Sequence, residues 1–285
     1  MTKRTKQMIG YGSVLVIVFA LIGIAFWREQ SRANTQYSQT VTPTLFLHGW
    51  GSSYHAEEQM TNAAKKAGVT QTIIRADVSR QGKVTLIGEI PARTKNPIVE
   101  VSFLDNRNAH YHTDGRWLRN VLVTLQHRYQ ITKFNVVGHS MGNMAIAYYL
   151  LDYARDKQLP QLQKQVDIDG HYNGILGIND EPNRMKLHKN GLPTVIDADY
   201  KELLGLRTKY PWHQVAVLNI YGDKNDGTHA DGDVSNASSQ SLRYLIAKRA
   251  KSYQEKKIVG PKAQHSQLHE NPEVDRLLID FLWKN

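Results

Sequence analysis

The residues best placed to do chemistry lie in one short run, Phe134-Asn135-Val136-Val137-Gly138-His139-Ser140-Met141-Gly142-Asn143. It begins with strand character, passes through Gly-His-Ser-Met-Gly, and continues into Met144 to Leu151, an apolar, alanine-containing segment that predicts a helix. A G-x-S-x-G between strand and helix makes a tight, strained turn that lifts the serine hydroxyl out at the carboxyl edge of a sheet. Ser140 is therefore the candidate nucleophile. Gly138 and Gly142 suit such a turn, because a side chain at either would collide where strand and helix pack closely. The same turn sets the Met141 N–H at a helix N-terminus, where it can face negative charge developing on an attacked carbonyl. On the pattern alone, a glycine-flanked turn with an inert serine is the competing reading.

A serine hydroxyl is a weak nucleophile at neutral pH, so it needs a neutral imidazole in reach and a carboxylate to fix that imidazole's tautomer. Twelve histidines compete for the role. Loops after late parallel strands open on the same edge as the serine turn, and two such loops carry the right residue types. The first, Gly222 to Val234, offers Asp223, Asp226, Asp231 and Asp233. It could also be a solvated turn or a calcium loop, but its glycine comes one place early for calcium and no glutamate closes it. The second, Pro261 to Pro272, contains His265 and His269. His265 is preferred because it stands well ahead of the final helix and is free to swing over the sheet edge, whereas His269 sits almost on the helix start and reads as structural. In such a turn His139 points away from Ser140 and reads as packed or bonded to backbone. His48 reads as shaping the loop His48-Gly49-Trp50-Gly51.

The elements that must position these groups alternate. Strands are expected at Pro43 to Leu47, Thr70 to Val78, Lys83 to Ile90, Asn96 to Leu104, the run before Gly138, Gln165 to Gly170, Gln214 to Gly222 and Lys256 to Gly260. The second and third are close enough to pair as a hairpin. Helices are expected at Ala56 to Ala67, Gly115 to Tyr129, Ser238 to Lys251 and Pro272 to Trp283. Such alternation predicts an α/β fold, a mainly parallel sheet with helices on both faces. The stretch 174–212 has little apolar periodicity and is either a lid over the site or an ordinary surface insertion.

Composition narrows the field further. The chain has 285 residues, 41% hydrophobic, enough for a packed core, and no cysteine. That excludes a disulfide framework, a thiolate nucleophile and a Cys-bearing zinc site. Residues 10–27 carry no charge and approach the roughly 20 residues a helix needs to cross a bilayer. Lys3, Arg4 and Lys6 precede them and Trp27 ends them, which predicts one N-terminal transmembrane helix with the rest of the chain outside the cytoplasm. Cleavage as a signal peptide near Ser31-Arg32-Ala33, giving a secreted protein, is the alternative. The expected organisation is therefore a membrane anchor over 1–33 and one domain over 34–285. Of the net charge of +10, the first 32 residues hold +4, five cations against Glu29, which leaves a basic body of +6. Such a body is drawn to an anionic membrane or cell-wall polymer. No arginine-rich helix, RNP-like strand or zinc-finger spacing points to nucleic acid.

The motifs Leu-Phe-Leu-His-Gly-Trp-Gly, Val-Val-Gly-His-Ser-Met-Gly-Asn, Ala-Asp-Gly-Asp-Val and Ala-Gln-His-Ser-Gln-Leu-His-Glu-Asn-Pro-Glu-Val span most of residues 43–285. In them the chain resembles the alpha/beta-hydrolase superfamily, and within it bacterial membrane-anchored cell-surface hydrolases of a domain family long listed as of unknown function. The resemblance implies a catalytic triad of Ser140, Asp231 and His265, since the loop around Asp231 looks like the acid loop of secreted lipases; Asp226 and then Asp223 are the alternatives. It implies oxyanion donors at Met141 and Trp50. The implied activity is carboxylesterase- or lipase-like hydrolysis of a small-molecule ester or lipid, with no metal or organic cofactor required. Amide or thioester hydrolysis, acyl transfer, or a non-catalytic surface-binding module on the same fold are the alternatives.

Overall fold

The computed structural model describes residues 18–24 and 36–285. The expected anchor lies largely outside them; among the described residues no helix is long and apolar enough to cross a membrane.

Eight strands form one sheet: β1 Thr44–Leu47, β2 Ile73–Val78, β3 Val84–Ile87, β4 Ile98–Phe103, β5 Lys133–His139, β6 Gln161–Ile168, β7 Ala216–Asp223 and β8 Ser252–Val259. Their order across the sheet is β3-β2-β4-β1-β5-β6-β7-β8, and every neighbouring pair is parallel except the β2–β3 hairpin at one edge. Helices α1 Glu58–Lys66, α2 Tyr111–Tyr129, α3 Met141–Tyr153, α4 Ala198–Leu203, α5 Leu206–Lys209, α6 Asn236–Gln240, α7 Leu242–Ile246 and α8 Pro272–Trp283 complete the domain.

Central strands are buried on both faces, so they read as continuous apolar runs, and successive side chains divide between two cores. Leu45, Leu47 and Val136 point to one face with Leu118, Leu122 and Met144 of α2 and α3. Phe46 and Val137 point to the other, with Met60 of α1 and Leu278 and Leu282 of α8. β5, an inner strand, is thus held from both sides by the two cores.

Strand β6 and helix α2 each begin four residues earlier than expected, and two expectations near the end of the chain need fuller correction. The helix expected over Ser238 to Lys251 is two short helices broken at Ser241, whose hydroxyl turns back to donate to the Ser238 carbonyl at 2.6 Å, the type of local bond that competes with a continuous helix. The last strand begins at Ser252 rather than near Lys256 and pairs with β7 along its full length. Its polar composition, Ser-Tyr-Gln-Glu-Lys-Lys, hides a strand because it lies at the sheet edge with much of it facing solvent.

Candidate active site

β5 passes into α3 through Ser140, whose φ of +51° and ψ of −118° lie outside the regions an ordinary residue prefers. The strain persists because the surroundings fix it. A Cβ on Gly142 would come within 2.4 Å of the Leu47 carbonyl oxygen, and one on Gly138 within 2.6 Å of Asn143 Oδ1. The Ser140 N–H donates to the Ile168 carbonyl at 3.0 Å, and the Asn143 amide donates to the same carbonyl at 2.8 Å. Strand, turn and helix are thereby locked to the end of β6.

Three groups from remote parts of the chain meet at this corner. His265 Nε2 lies 2.8 Å from Ser140 Oγ, and His265 Nδ1 lies 2.7 Å from Asp231 Oδ2. With Nδ1–H donating to the carboxylate, Nε2 is left to accept the serine proton. The other Asp231 oxygen accepts the N–H groups of Asp233 at 2.8 Å and Val234 at 2.7 Å, so the carboxylate is fully buried yet satisfied. The His265 N–H donates to the Asp231 carbonyl at 3.1 Å, tying the two loops together. Burial pushes the His265 pKa down, but the Asp231 hydrogen bond and charge outweigh it and the net direction is up.

The other sequence candidates stand apart. Asp226 is bonded to Thr228 and Lys224, and Asp223 to Asn225, Asn236 and Lys257. His269 packs edge-on against His139. His139 Nε2 donates to the His265 carbonyl at 3.1 Å, and burial holds its pKa well below the usual histidine value. His48 accepts the Phe103 N–H at Nε2 and donates from Nδ1 to the Gly49 carbonyl, fixing the loop that carries Trp50. Met141 opens α3, where the first N–H groups have no partner within the helix, and both Met141 and Trp50 line a pocket of about 460 Å³ beside Ser140.

Sequence reasoning passed over two residues. Asp169, fully buried with φ +48°, follows β6; one of its oxygens accepts the Gly222 N–H at 2.8 Å and the other lies 3.9 Å from His265 Nδ1. Burial, and then the adjacent Asp231 charge, raise its pKa well above the carboxylate range. Its position just past the carboxyl end of a central strand was the available signal. His171, two residues on, lines the pocket, and burial first, then His265, lowers its pKa to about 4. Ligand atoms of His139, Asp169 and His265 come within 4.8 Å of one another, a cluster that could hold a metal ion. However, both His265 nitrogens and His139 Nε2 already have hydrogen-bond partners.

The stretch 174–212 crosses this pocket. Gly174, Ile175, Ile178, Asn179, Asp197 and Asp199 come from it, and Tyr111 stands at the start of α2.

A strained serine turn on the central strand, with acid and histidine on the loops after β7 and β8, agrees with the sequence profile of the alpha/beta hydrolases of unknown function (DUF915), which matches residues 31–285. The chain belongs to that family. Among solved structures it is similar to a gene product of Listeria innocua at 27% identity and a TM-score of 0.76, covering 85% of this chain and 93% of that one. It is also similar to a protein of Lactobacillus plantarum, provisionally named a cell surface hydrolase, at 20% identity and a TM-score of 0.67, covering 86% and 91%. A carboxylesterase of Bacillus subtilis, 13% identical with a TM-score of 0.50 and coverage of 91% and 98%, shares the fold. None of the curated proteins matches the sequence.

Proposed function

We propose that the chain is an extracytoplasmic serine hydrolase that cleaves carboxylic esters by acyl transfer. The observation that carries this reading is the unbroken path for a proton, Ser140 Oγ to His265 Nε2 at 2.8 Å and His265 Nδ1 to Asp231 at 2.7 Å. Ser140 attacks the carbonyl carbon as His265 takes its proton, and Asp231 stabilises the imidazolium. The N–H groups of Met141 and Trp50 hold the oxyanion. Collapse expels the alcohol, which takes the proton from His265, and water activated by the same imidazole releases the acid. The uncharged run 10–27 anchors the domain to the membrane, with the working domain outside; the cell-surface name of the Lactobacillus relative supports that location.

The pocket narrows the substrate class. Trp50, Tyr111, Ile175 and Ile178 supply apolar surface, while Asp197, Asp199 and Asp233 line it without a lysine or arginine among them. Asp197 is spent on structure, capping α4 through the Tyr200 N–H and accepting from Asn179. Asp199 is raised in pKa by burial and by Glu202, and it retains a carboxyl toward the pocket. Such a wall repels anionic acyl groups and accepts uncharged or cationic ones.

A fluorophosphonate probe tests the reading: it labels the full chain, and labelling vanishes in Ser140→Ala. A well-folded protein that resists the probe and turns over no nitrophenyl ester would instead be a binding module. Within the active enzyme, esters of uncharged or amine-bearing acids outrun those of dicarboxylic acids of equal length, and Asp199→Asn narrows the gap.

A further inference from the structure

At the opposite edge of the sheet, where the parallel strands begin, three grooves run into one another. The largest, about 810 Å³, lies against the starts of β1, β4 and β5 and is lined by Arg93, Lys95, Arg128 and Lys133. It shares Thr132 and Lys133 with a second of about 260 Å³, to which Lys157 contributes. That one in turn shares Lys157, Leu159 and Gln161 with a third of about 440 Å³, lined also by Arg155. Six cations therefore follow one path past the starts of four adjacent strands, a span of roughly 14 Å at about 4.8 Å per strand.

Little opposes this charge. Among the described residues lining the three grooves, Asp156 is the only carboxylate, and one of its oxygens already accepts the Gln158 N–H at 2.9 Å. Arg128 pairs with Glu89 outside the groove lining. Arg155 donates to the Thr208 carbonyl, a bond that leaves its charge unneutralised. Lys95, Lys133 and Lys157 are exposed. A row of lysine and arginine in a depression, most of it unneutralised, collects phosphates by releasing their counterions. A flat lipid surface would meet a convex or planar patch; a linked channel fits a chain.

From these observations we propose that the amino edge of the sheet is a binding track for a linear phosphodiester polymer, separate from the ester-cleaving pocket. Residues 39–42, which lead in from the N-terminal segment, form one wall of the largest groove. The track therefore lies on the side from which the chain enters the domain.

The test uses the full chain in detergent with poly(glycerol phosphate) as the probe, measured by calorimetry over a range of salt. The variant K95E/K133E/K157E reverses three exposed cations of the track. A control, K83E/K186E/K189E, reverses three exposed lysines on the hairpin and on the segment over the pocket, with the same change in net charge. Binding by the native chain should weaken steeply with salt. The track variant should bind at least tenfold more weakly at low salt, with a salt slope shallower by about two given roughly 0.7 per phosphate contact. The control should bind like the native chain, and all three should hydrolyse a neutral nitrophenyl ester at the same rate. Equal loss in both variants would reduce the effect to net charge and overturn the assignment. So would competition by inorganic phosphate at the same phosphate concentration, since a track gains from linked contacts that a single ion cannot make. Ester hydrolysis is read separately, so failure here leaves the serine hydrolase reading untouched.

Discussion

The two edges of the parallel sheet are built on opposite principles. At the carboxyl edge, charge is buried and backbone is strained: Asp169, Asp231 and His265 are enclosed, and Ser140 and Asp169 both hold positive φ. At the amino edge, the cations stand in solvent. Buried charge gains strength from a low local dielectric but costs stability, whereas solvated charge costs little and acts through number and spacing. One end of the molecule is therefore suited to making and breaking bonds, and the other to holding a partner that salt can release.

The largest effect that could break this division is the loss of Ser140. Ser140→Ala should lower kcat/KM for a nitrophenyl ester by about 10⁴-fold or more, and polymer binding at the amino edge should not change. The next concerns the two carboxyls beside His265. In a site with a single acid, removing it costs about 10⁴-fold. Here Asp169 lies 3.9 Å from the same nitrogen that Asp231 meets at 2.7 Å. Asp231→Ala leaves His265 Nδ1 without its partner, and Asp169, 3.9 Å away, is the carboxyl left to orient the imidazole in its place. The single variant should lose about 10²-fold, and Asp231→Ala with Asp169→Asn the rest. Equal losses in the two would show that Asp169 is only packed.

The same contrast decides what the sequence could reveal. Ser140 was legible because the backbone needs glycine at 138 and 142, and that need is written locally. His265 could be ranked above His269 by its distance from the last helix, and α8 begins at Pro272 as its proline and the Asn271 cap indicate. Asp231 could be chosen among four aspartates only by resemblance, because what distinguishes it is the pair of N–H groups its own loop folds onto it. The position of Asp169 just past a central strand was legible, but not its neighbours: its place beside His265 arises from β6 lying next to β7 in the sheet, a relation no local pattern records. The basic track was equally hidden: its cations come from four separate segments, and composition showed only their sum.

Stability should divide the edges as well. Glu57, at the start of α1, is fully buried, neither of its carboxyl oxygens has a partner among the described residues, and burial, with Glu100 and Glu270 nearby, raises its pKa to about 8. The folded state thus favours the protonated acid, so stability is full below the unfolded value of 4.5 and falls as pH rises from there to about 8. Glu57→Gln should remove about 3 kcal/mol of that fall between pH 5 and pH 8, read by urea denaturation at the two pH values. The exposed K95E/K133E/K157E variant should show no comparable pH term. An unchanged pH dependence in Glu57→Gln would mean that Glu57 ionises freely.

The smallest effect sharpens the site itself. Only neutral His265 can take the Ser140 proton, so kcat/KM falls as pH drops through the His265 pKa, and that pKa lies above the usual 6.5. His139 and His171 are shifted the other way by burial and stay neutral across this range, so the acid limb belongs to one group. Burial opposes the upward shift, Asp231 overcomes it, and the exposed Asp233 adds a weaker push through its charge. Asp233→Asn removes that push and should move the acid limb to lower pH with little change in the plateau rate. Added salt should shrink the difference, because it screens an exposed carboxylate far more than the enclosed Asp231. A limb that stays in place in Asp233→Asn, or a shift that salt leaves intact, would mean that Asp231 alone holds His265 up.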